Sequence, residues 1–440
     1  MVHPGITNGS KWVEALGPFG YSGEMSSYIQ RIVDEELAEG MREHPAILLV
    51  GPRAAGKTTT ARRHVANVVR LDRPAEAAAF EADPDAALAR LEGPILLDEW
   101  QAVPGVLAAV KRAVDDDRSP GRFLLTGSVR ADLEAETWPG TGRLVRVSMY
   151  TLSQRELTGV AAGLNPVDVI AAGEALSLAV SGPSPVLPDY IEMALRGGFP
   201  EAVIELGERG RTRWLTSYLE QLLTRDAIGV SGRDPARLAR YFEVLALNSA
   251  GIVSNATLYG AANIDKKTAD AYDRLLSDLF VLDVVPAWLT NRLARLIKTP
   301  KRYIADPSLV GAALRTDLDA VLRDGDLLGR ILDTFVAAQL RPELAVSAAR
   351  PRLFHLREKN GRHEVDLLAE LGGDRVLAIE VKATAAPKRS DASHLEWMRD
   401  HLGQRFVAGV VFHTGPSAFT LAEQITALPI AALWSVGNAA

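Results

Sequence analysis

One short stretch of the sequence has the residue types and the spacing of a phosphate-binding loop. Gly51-Pro-Arg-Ala-Ala-Gly-Lys-Thr58 fits the pattern G-x-x-x-x-G-K-[ST] and follows the apolar run Ala46–Val50. Glycines let the backbone approach phosphate oxygens, the lysine reaches the β- and γ-phosphates, and the threonine hydroxyl binds Mg²⁺. The alternative is an ordinary turn between a strand and a helix. The pattern predicts an ATP site formed by Gly51, Pro52, Arg53, Ala54, Ala55, Gly56, Lys57, Thr58 and Thr59.

Two adjacent carboxylates follow a second apolar run. Pro94-Ile-Leu-Leu-Asp-Glu-Trp100 is typical of a buried strand that ends in Asp98 and Glu99. We expect Asp98 to hold Mg²⁺ through its waters and Glu99 to polarise the attacking water as a general base. A solvated strand end is the alternative, and its position after the phosphate loop favours the hydrolytic interpretation.

A third apolar run ends in hydroxyl residues. Arg122-Phe-Leu-Leu-Thr-Gly-Ser128 predicts a strand after which Thr126 or Ser128 would lie between the phosphate and the attacking water and sense the γ-phosphate. With the apolar runs 68–72 and 144–150, five strands alternate with helical stretches, one of them predicted over 58–69. This order predicts an α/β fold with a parallel sheet and right-handed crossovers.

The last third of the chain contains a second set of residues that could do chemistry. Glu364-Val-Asp-Leu-Leu368 precedes Val376-Leu-Ala-Ile-Glu-Val-Lys382. Residues two apart share one face of a strand, so Glu380 and Lys382 project together, and an antiparallel neighbour can bring Asp366 beside them. This is the PD-(D/E)xK nuclease arrangement, in which carboxylates hold Mg²⁺ and the lysine stabilises charge on the attacked phosphate.

A helix predicted over 327–340 carries Asp333 where the nuclease fold commonly supplies a glutamate. Aspartate is one methylene shorter, which changes the expected metal geometry. Three interpretations therefore stay open. They are a second metal site formed by Asp333, Asp366 and Glu380 with Lys382, a nuclease fold that binds without cleaving, and a charged sheet edge unrelated to nucleases.

The middle of the chain suggests a winged helix. Helices are predicted over 234–249, 254–260 and 266–280, followed by the hydrophobic stretch 281–288. DNA contact through 254–305 is expected if the basic side chains of this region follow a phosphate backbone; the alternatives are a solvated hairpin and a winged helix that contacts only protein. These basic residues are Lys266, Lys267 and Arg274 on the third helix, then Arg292, Arg295, Lys298, Lys301 and Arg302 between Trp288 and Tyr303.

The motifs together carry a family resemblance. GPRAAGKTTTA, ILLDEWQ, FLLTGS and Thr141-Gly-Arg-Leu-Val145 resemble the ATPase module of bacterial and archaeal AAA-superfamily proteins with a C-terminal DUF4143 region. Leu195-Arg-Gly-Gly-Phe-Pro-Glu201 and Tyr218-Leu-Glu-Gln-Leu-Leu-Thr-Arg-Asp226 are similar to the DUF4143 pattern, so the resemblance covers nearly the whole chain after about residue 25. It implies a γ-phosphate-sensing role for Arg143, with pairing to a surface carboxylate as the alternative.

Length and composition set the frame for these motifs. The chain has 440 residues, 47% of them hydrophobic and 24% charged, which is typical of a globular protein of several domains. We predict an N-terminal extension over 1–25, a P-loop ATPase domain over 26–158, a linker or lid over 159–190, a winged-helix-like domain over 191–305 and a nuclease-like domain over 306–440. The DUF4143 region would then span 191–440.

Cysteine content, the N-terminal residues and net charge exclude several kinds of site and partner. The absence of cysteine excludes disulfides, cysteine nucleophiles and thiolate zinc sites. The first residues lack the features of a signal peptide and no long apolar run is present, so we expect a cytoplasmic protein without a membrane partner. The net charge of −6 argues against coating nucleic acid by bulk electrostatics.

Two functional hypotheses follow from the sequence. The first is a Mg²⁺-dependent ATPase that couples its nucleotide state to a DNA-directed or nuclease-like C-terminal region. The second is a nucleotide-dependent switch that recognises a protein partner, with a catalytically inactive nuclease-like fold as scaffold.

Overall fold

The computed structural model describes residues 28–128, 142–178, 180, 183–226, 234–289, 298–358 and 362–435. The predicted N-terminal extension, Thr141, Arg292 and Arg295 lie outside these residues.

The first sheet is parallel throughout, as predicted. Its order is β2-β3-β4-β1-β5, and every neighbouring pair runs in the same direction. All five residues of β1, an interior strand between β4 and β5, are buried, because helices cover both faces of the sheet. The strands are β1 (Ala46–Val50), β2 (Asn67–Arg70), β3 (Ile95–Asp98), β4 (Phe123–Gly127) and β5 (Val145–Ser148).

One helix of this region is shorter than the sequence predicted. The helix expected over 58–69 ends at Ala61, and the chain enters β2 at Asn67. Val68 and Val69 pair with Leu96 and Leu97 of β3, where branched side chains pack well. The helices are α1 (Val33–Glu43), α2 (Lys57–Ala61), α3 (Pro74–Ala82), α4 (Pro84–Leu88) and α5 (Gly105–Asp116).

A helical region follows, and its first part was predicted as a linker. That stretch contains a helix over Pro166–Ala171, whose Val167 and Ile170 are fully buried in the largest hydrophobic core of the described residues. It is therefore packed structure rather than an open connection. The helices are α6 (Gln154–Leu157), α7 (Pro166–Ala171), α8 (Leu187–Arg196) and α9 (Glu208–Gln221), and π-helical turns cover Glu201–Glu205 and Leu222–Asp226.

The next three helices lie close to their predicted positions, and an antiparallel hairpin follows them. The side chains of Asp234, Ser254 and Asp265 cap the three helices by accepting backbone N–H groups, which explains where each begins. The helices are α10 (Pro235–Leu247), α11 (Asn255–Ala262) and α12 (Lys266–Asp278), and the antiparallel strands are β6 (Leu282–Val285) and β7 (Lys301–Ile304).

The C-terminal region is built on a mixed six-stranded sheet. Its order is β12-β13-β11-β10-β9-β8. Strand β9 is antiparallel to both β8 and β10, and β11 is parallel to both β10 and β13. The helices are α13 (Pro307–Leu314), α14 (Leu318–Arg323), α15 (Gly325–Val346) and α16 (Ser393–Leu402). The strands are β8 (Arg352–Arg357), β9 (Glu364–Glu370), β10 (Val376–Lys382), β11 (Phe406–His413), β12 (Phe419–Ala422) and β13 (Ile425–Pro429).

The long helix α15 connects the two halves of the molecule. It is 22 residues long and buries Asp333, Gln339 and Glu343 together with its apolar face. Buried polar side chains need partners, and these three find them in the N-terminal region or in the hairpin. No helix in the described ranges, α15 included, is both long and apolar enough to cross a membrane.

Candidate functional site

The phosphate loop lies between β1 and α2, at the edge where the parallel strands end. Gly56 has a φ of 93°, a conformation that glycine adopts readily. The loop curls around its own lysine: the Nζ of Lys57 donates to the carbonyl oxygens of Gly51 at 3.0 Å and Pro52 at 2.8 Å. Burial lowers the pKa of Lys57 to about 8. A bound phosphate would have to replace these two carbonyl oxygens as the acceptor of the Lys57 N–H groups.

Asp98 joins three separate segments at the same edge. Its Oδ1 accepts hydrogen bonds from the hydroxyl of Thr58, at 2.7 Å, and from that of Thr126, at 2.5 Å. Asp98 is almost completely buried at the end of β3. Hydroxyl and carboxylate oxygens are the ligand types that Mg²⁺ prefers, so Thr58 and Asp98 fit the ion that the sequence predicted.

Glu99 turns away from the strand. Its φ of 53° is unusual for a non-glycine residue and swings the side chain out of the direction of β3. The backbone N–H of Glu99 donates to the Thr126 hydroxyl at 3.3 Å, and the side-chain amide of Gln101 donates to Glu99 Oε2. The half-buried carboxylate is thus held in place while still reaching solvent, as a general base requires.

The two candidate sensors of the γ-phosphate differ in their hydrogen bonding. The hydroxyl of Thr126 is occupied by Asp98. Ser128 is 1% exposed, and its Oγ has no hydrogen-bond partner among the described residues. Ser128 therefore has a hydroxyl available for a ligand, whereas Thr126 supports Asp98.

Arg143 lies at the other end of the sheet. It precedes Val145, which pairs with Ile47 near the start of β1, and its Nε contacts Asp115 at 2.8 Å. The phosphate loop follows the opposite end of β1. Acting on a γ-phosphate would require the loop of another subunit, so that role stays a prediction, and within one chain the carboxylate pairing is what the structure contains.

Arg31, which belongs to none of the sequence motifs, also contacts the phosphate loop. Its buried guanidinium donates to the Ala55 carbonyl in the phosphate loop at 2.9 Å, to the Tyr150 carbonyl at 2.6 Å and to Glu156 Oε1 at 2.9 Å. Because Arg31 precedes the first strand and belongs to no local motif, the sequence gives no signal for this contact. It fixes the carbonyl side of the loop to the segment that leads into α6.

The C-terminal residues Asp366, Glu380 and Lys382 do come together. The Nζ of Lys382 contacts Glu380 Oε2 at 2.8 Å, and the backbone N–H of Val381 donates to Asp366 Oδ2 at 3.0 Å. Burial and the charge of Asp366 hold the pKa of Glu380 well above its usual value. Alternation along β10 and antiparallel pairing with β9 therefore place these three side chains as predicted.

A residue from the hairpin enters this group. Lys301 of β7 is 1% exposed, and its Nζ lies 2.6 Å from Asp333 Oδ2 and 3.2 Å from Asp366 Oδ1. Burial alone would lower the pKa of Lys301, but the two carboxylates hold it well above its usual value. The sequence had assigned Lys301 to a basic run that follows nucleic acid. That prediction is wrong for this residue because its ammonium is inside the protein.

Arg302, the next residue of the same run, is also buried. Its Nη2 lies 2.7 Å from Asp273 Oδ2. Burial alone would lower the pKa of the Arg302 guanidinium, but the charge of Asp273 holds it above its usual value. Lys266, Lys267 and Arg274 on α12 are exposed. Of the basic side chains described here, those of α12 are accessible to a partner, and the pair on β7 is not.

The predicted second metal site does not fit a divalent ion. The ammonium of Lys301 occupies the space between Asp333 and Asp366. In the parts of the chain that the structure describes, no group of three or more His, Cys, Asp or Glu side chains is arranged to hold a metal. The lysine supplies the positive charge that the carboxylates would otherwise take from a metal.

Comparison with known protein families assigns three regions. Residues 43–158 match the AAA domain, residues 187–320 match a domain of unknown function (DUF8612), and residues 328–433 match a domain of unknown function (DUF4143). The chain therefore combines an AAA domain with a C-terminal DUF4143 domain, as the resemblance implied. The DUF4143 match is shorter than the predicted region 191–440, and the DUF4143-like segments Leu195–Glu201 and Tyr218–Asp226 lie in the region that matches DUF8612.

Two mycobacterial proteins are similar to this chain over most of its length. Two uncharacterized proteins, one of Mycobacterium bovis and one of Mycobacterium tuberculosis, are each 28% identical over 411 residues, which cover 91% of this chain and 84% of theirs. A Walker-type ATPase of Pyrococcus abyssi aligns with a TM-score of 0.40 and 15% identity, over 66% of this chain and 96% of its own.

Proposed function

We propose that this chain, an AAA domain followed by a DUF4143 domain, binds Mg-ATP at the edge of its parallel sheet and hydrolyses it. The observation that carries the proposal is that two other segments meet Asp98 at the end of β3. The hydroxyl of Thr58, from the phosphate loop, and that of Thr126, from β4, both donate to its Oδ1. An ordinary strand end would leave such a carboxylate solvated.

Each side chain of the site has a distinct role in this proposal. Lys57 leaves the loop carbonyls and binds the β- and γ-phosphates, while Thr58 and Asp98 hold Mg²⁺. The ion, when bound, neutralises charge on the phosphate oxygens. Glu99 accepts a proton from the attacking water, and Gln101 fixes its carboxylate. The free hydroxyl of Ser128 contacts the γ-phosphate.

Mg²⁺-dependent phosphate release by the full chain tests this proposal. Lys57→Ala removes the phosphate-binding ammonium and should abolish tight ATP binding. Lys111→Ala is a matched control, because it removes a lysine that pairs with Asp115 on the surface of α5. No Mg²⁺-dependent turnover in the wild type, or equal turnover in Lys57→Ala, would overturn the proposal.

We infer further that nucleotide state is communicated to the C-terminal half through α6 and α15. Arg31 bonds both the phosphate loop and Glu156 of α6. In the same helix, the backbone N–H of Gln154 donates to Gln339 Oε1 at 2.7 Å, and Arg155 contacts Glu343 at 2.9 Å.

A second connection links the phosphate loop to α9. The hydroxyl of Tyr218 donates to the Arg53 carbonyl at 3.3 Å. Both connections begin at the phosphate loop, whose conformation ATP binding would change.

The C-terminal half has features of two known folds. Helices α10 to α12 with the hairpin β6–β7 support a winged-helix-like unit. The order α15, β8, β9, β10, α16, β11, with antiparallel pairing up to β10 and parallel pairing to β11, supports a nuclease-like core. This arrangement suits a domain that recognises a macromolecule in response to nucleotide.

The macromolecule is either DNA or a protein. Exposed Lys266, Lys267 and Arg274 on α12 support DNA contact. The burial of Lys301 and Arg302 supports the second candidate, a switch that recognises a protein partner through an inactive nuclease-like scaffold. Measuring ATP turnover with single- and double-stranded DNA separates them. Stimulation that is lost on replacing the three α12 residues supports DNA, and unchanged turnover with no binding at low salt supports the protein partner.

A further inference from the structure

In the carboxylate cluster of the C-terminal sheet, all oxygens but one already have a hydrogen-bond partner inside the protein. Asp333 uses both oxygens, because Lys301 contacts Oδ2 at 2.6 Å and the Tyr303 hydroxyl donates to Oδ1 at 3.2 Å. Asp366 also uses both, since Lys301 contacts Oδ1 and the Val381 N–H donates to Oδ2. The remaining oxygen without a partner among the described residues is Oε1 of Glu380.

The lysine is equally well satisfied. An ammonium has three N–H donors, and those of Lys301 face Asp333 Oδ2, Asp366 Oδ1 and the Asp366 carbonyl oxygen at 3.3 Å. Such a group can be buried without a large penalty only when all its donors and its charge are matched. The position is therefore built for an ammonium that is permanently present.

The elements involved explain what the ammonium connects. Lys301 and Tyr303 belong to β7, whereas Asp333 belongs to α15 and Asp366 to β9. The cluster bonds the hairpin to acidic side chains of the nuclease-like core, and the ion pair between Asp283 of β6 and Arg341 of α15 is a separate link between the same units. Removing the lysine would leave buried carboxylates uncompensated.

We propose that Lys301 is an internal cation that replaces the catalytic metal of a nuclease site, so that the cluster fastens the β6–β7 hairpin to α15 and β9 and does not cleave nucleic acid. In this arrangement Asp333 and Asp366 are positioning residues for the hairpin. Lys382 balances Glu380 at the edge of the cluster and has no phosphate to act on.

Replacing the lysine should convert the cluster into a cation site. Lys301→Ala in the full chain leaves a space between Asp333 and Asp366, with Glu380 beside it. We expect a lower melting temperature that Mn²⁺ raises again by several degrees. Electron paramagnetic resonance should show more bound Mn²⁺ than in the wild type, because both proteins share the Thr58–Asp98 site and only the variant adds the new one. The double variant Lys301→Ala/Asp333→Asn should lose this response.

Arg302→Ala is the matched control. It removes the adjacent residue of β7, which is also buried in an ion pair, but its partner Asp273 lies outside the cluster. This variant should be destabilised without any recovery in Mn²⁺. An equal Mn²⁺ response in both variants would show nonspecific binding and overturn the proposal.

A second test keeps Lys301 in place and begins with the wild type. In the absence of nucleotide, Mn²⁺ should change the melting temperature of the wild type and of Asp366→Asn by the same amount. The wild type should not cleave single- or double-stranded DNA in Mg²⁺ or Mn²⁺. Cleavage or Mn²⁺ binding by the wild type that disappears on Asp366→Asn would show that a metal displaces the lysine, and would overturn the proposal.

Discussion

Lys57 should make ATP binding sensitive to pH in a range where exposed lysines do not titrate. Burial lowers the pKa of Lys57 to about 8, Glu99 and Asp98 oppose this effect, and Arg53 adds to it. Phosphate binding uses the ammonium form. Raising the pH through this value therefore removes the positive charge before ATP arrives, and binding then requires uptake of a proton.

The size of the effect follows from the protonated fraction. With a pKa near 8, about nine-tenths of the free protein carries the ammonium at pH 7 and about one-tenth at pH 9. If only that form binds, the affinity for Mg-ATP falls about tenfold across this interval, which corresponds to ~1.4 kcal/mol. The dissociation constant should change little between pH 6.8 and 7.2, where ~90% is already protonated.

Isothermal titration calorimetry at pH 7, 8 and 9, with fixed ionic strength and Mg²⁺, measures this dependence. Repeating the titration at pH 9 in two buffers of different ionisation enthalpy counts the protons, and an uptake approaching one per ATP is expected. Lys57→Arg keeps its charge over the whole range and should show a flat profile. Equal affinity at pH 7 and pH 9 with no proton uptake would refute the reasoning, and an unchanged slope in Lys57→Arg would assign the titration to another group.

Three other changes test the site. Glu99→Gln should retain ATP binding and lower turnover by about 10²- to 10⁴-fold, measured by phosphate release, and undiminished turnover would exclude a general base at this position. Gly51→Ala should abolish nucleotide binding because its Cβ would lie 2.1 Å from the backbone oxygen of Met149, whereas Gly260→Ala, with open space around it, should bind normally in the same titration. Ser128→Ala should weaken binding of ATP more than that of ADP, and an equal effect on both would contradict its contact with the γ-phosphate.

The sequence predicted those parts of the fold that depend on neighbouring residues. The apolar runs became the strands of a parallel sheet, and the caps Asp234, Ser254 and Asp265 fixed where three helices begin. The pattern was misleading over 58–69, where Val68 and Val69 fit a helix face as well as a strand. Short branched runs leave that choice to the tertiary partner, here β3.

The phosphate loop shows what the sequence alone determined about the site. Its residues from Gly51 to Thr58 are contiguous, so their geometry is set by local backbone conformation, and the motif is visible without the fold. The strand-end residues Asp98 and Thr126 were also identifiable, because parallel strands end at a common edge.

Only the tertiary structure decided the roles of Arg31, Arg143 and Lys301. The partners of Lys301, Asp333 and Asp366, lie 32 and 65 residues away along the chain, and those of Arg31 include Glu156 at a separation of 125. A basic side chain in a basic run has the same local pattern whether it is solvated or buried against distant carboxylates. Its environment depends on which elements pack together, because burial and charge pairing are properties of the folded chain rather than of the segment.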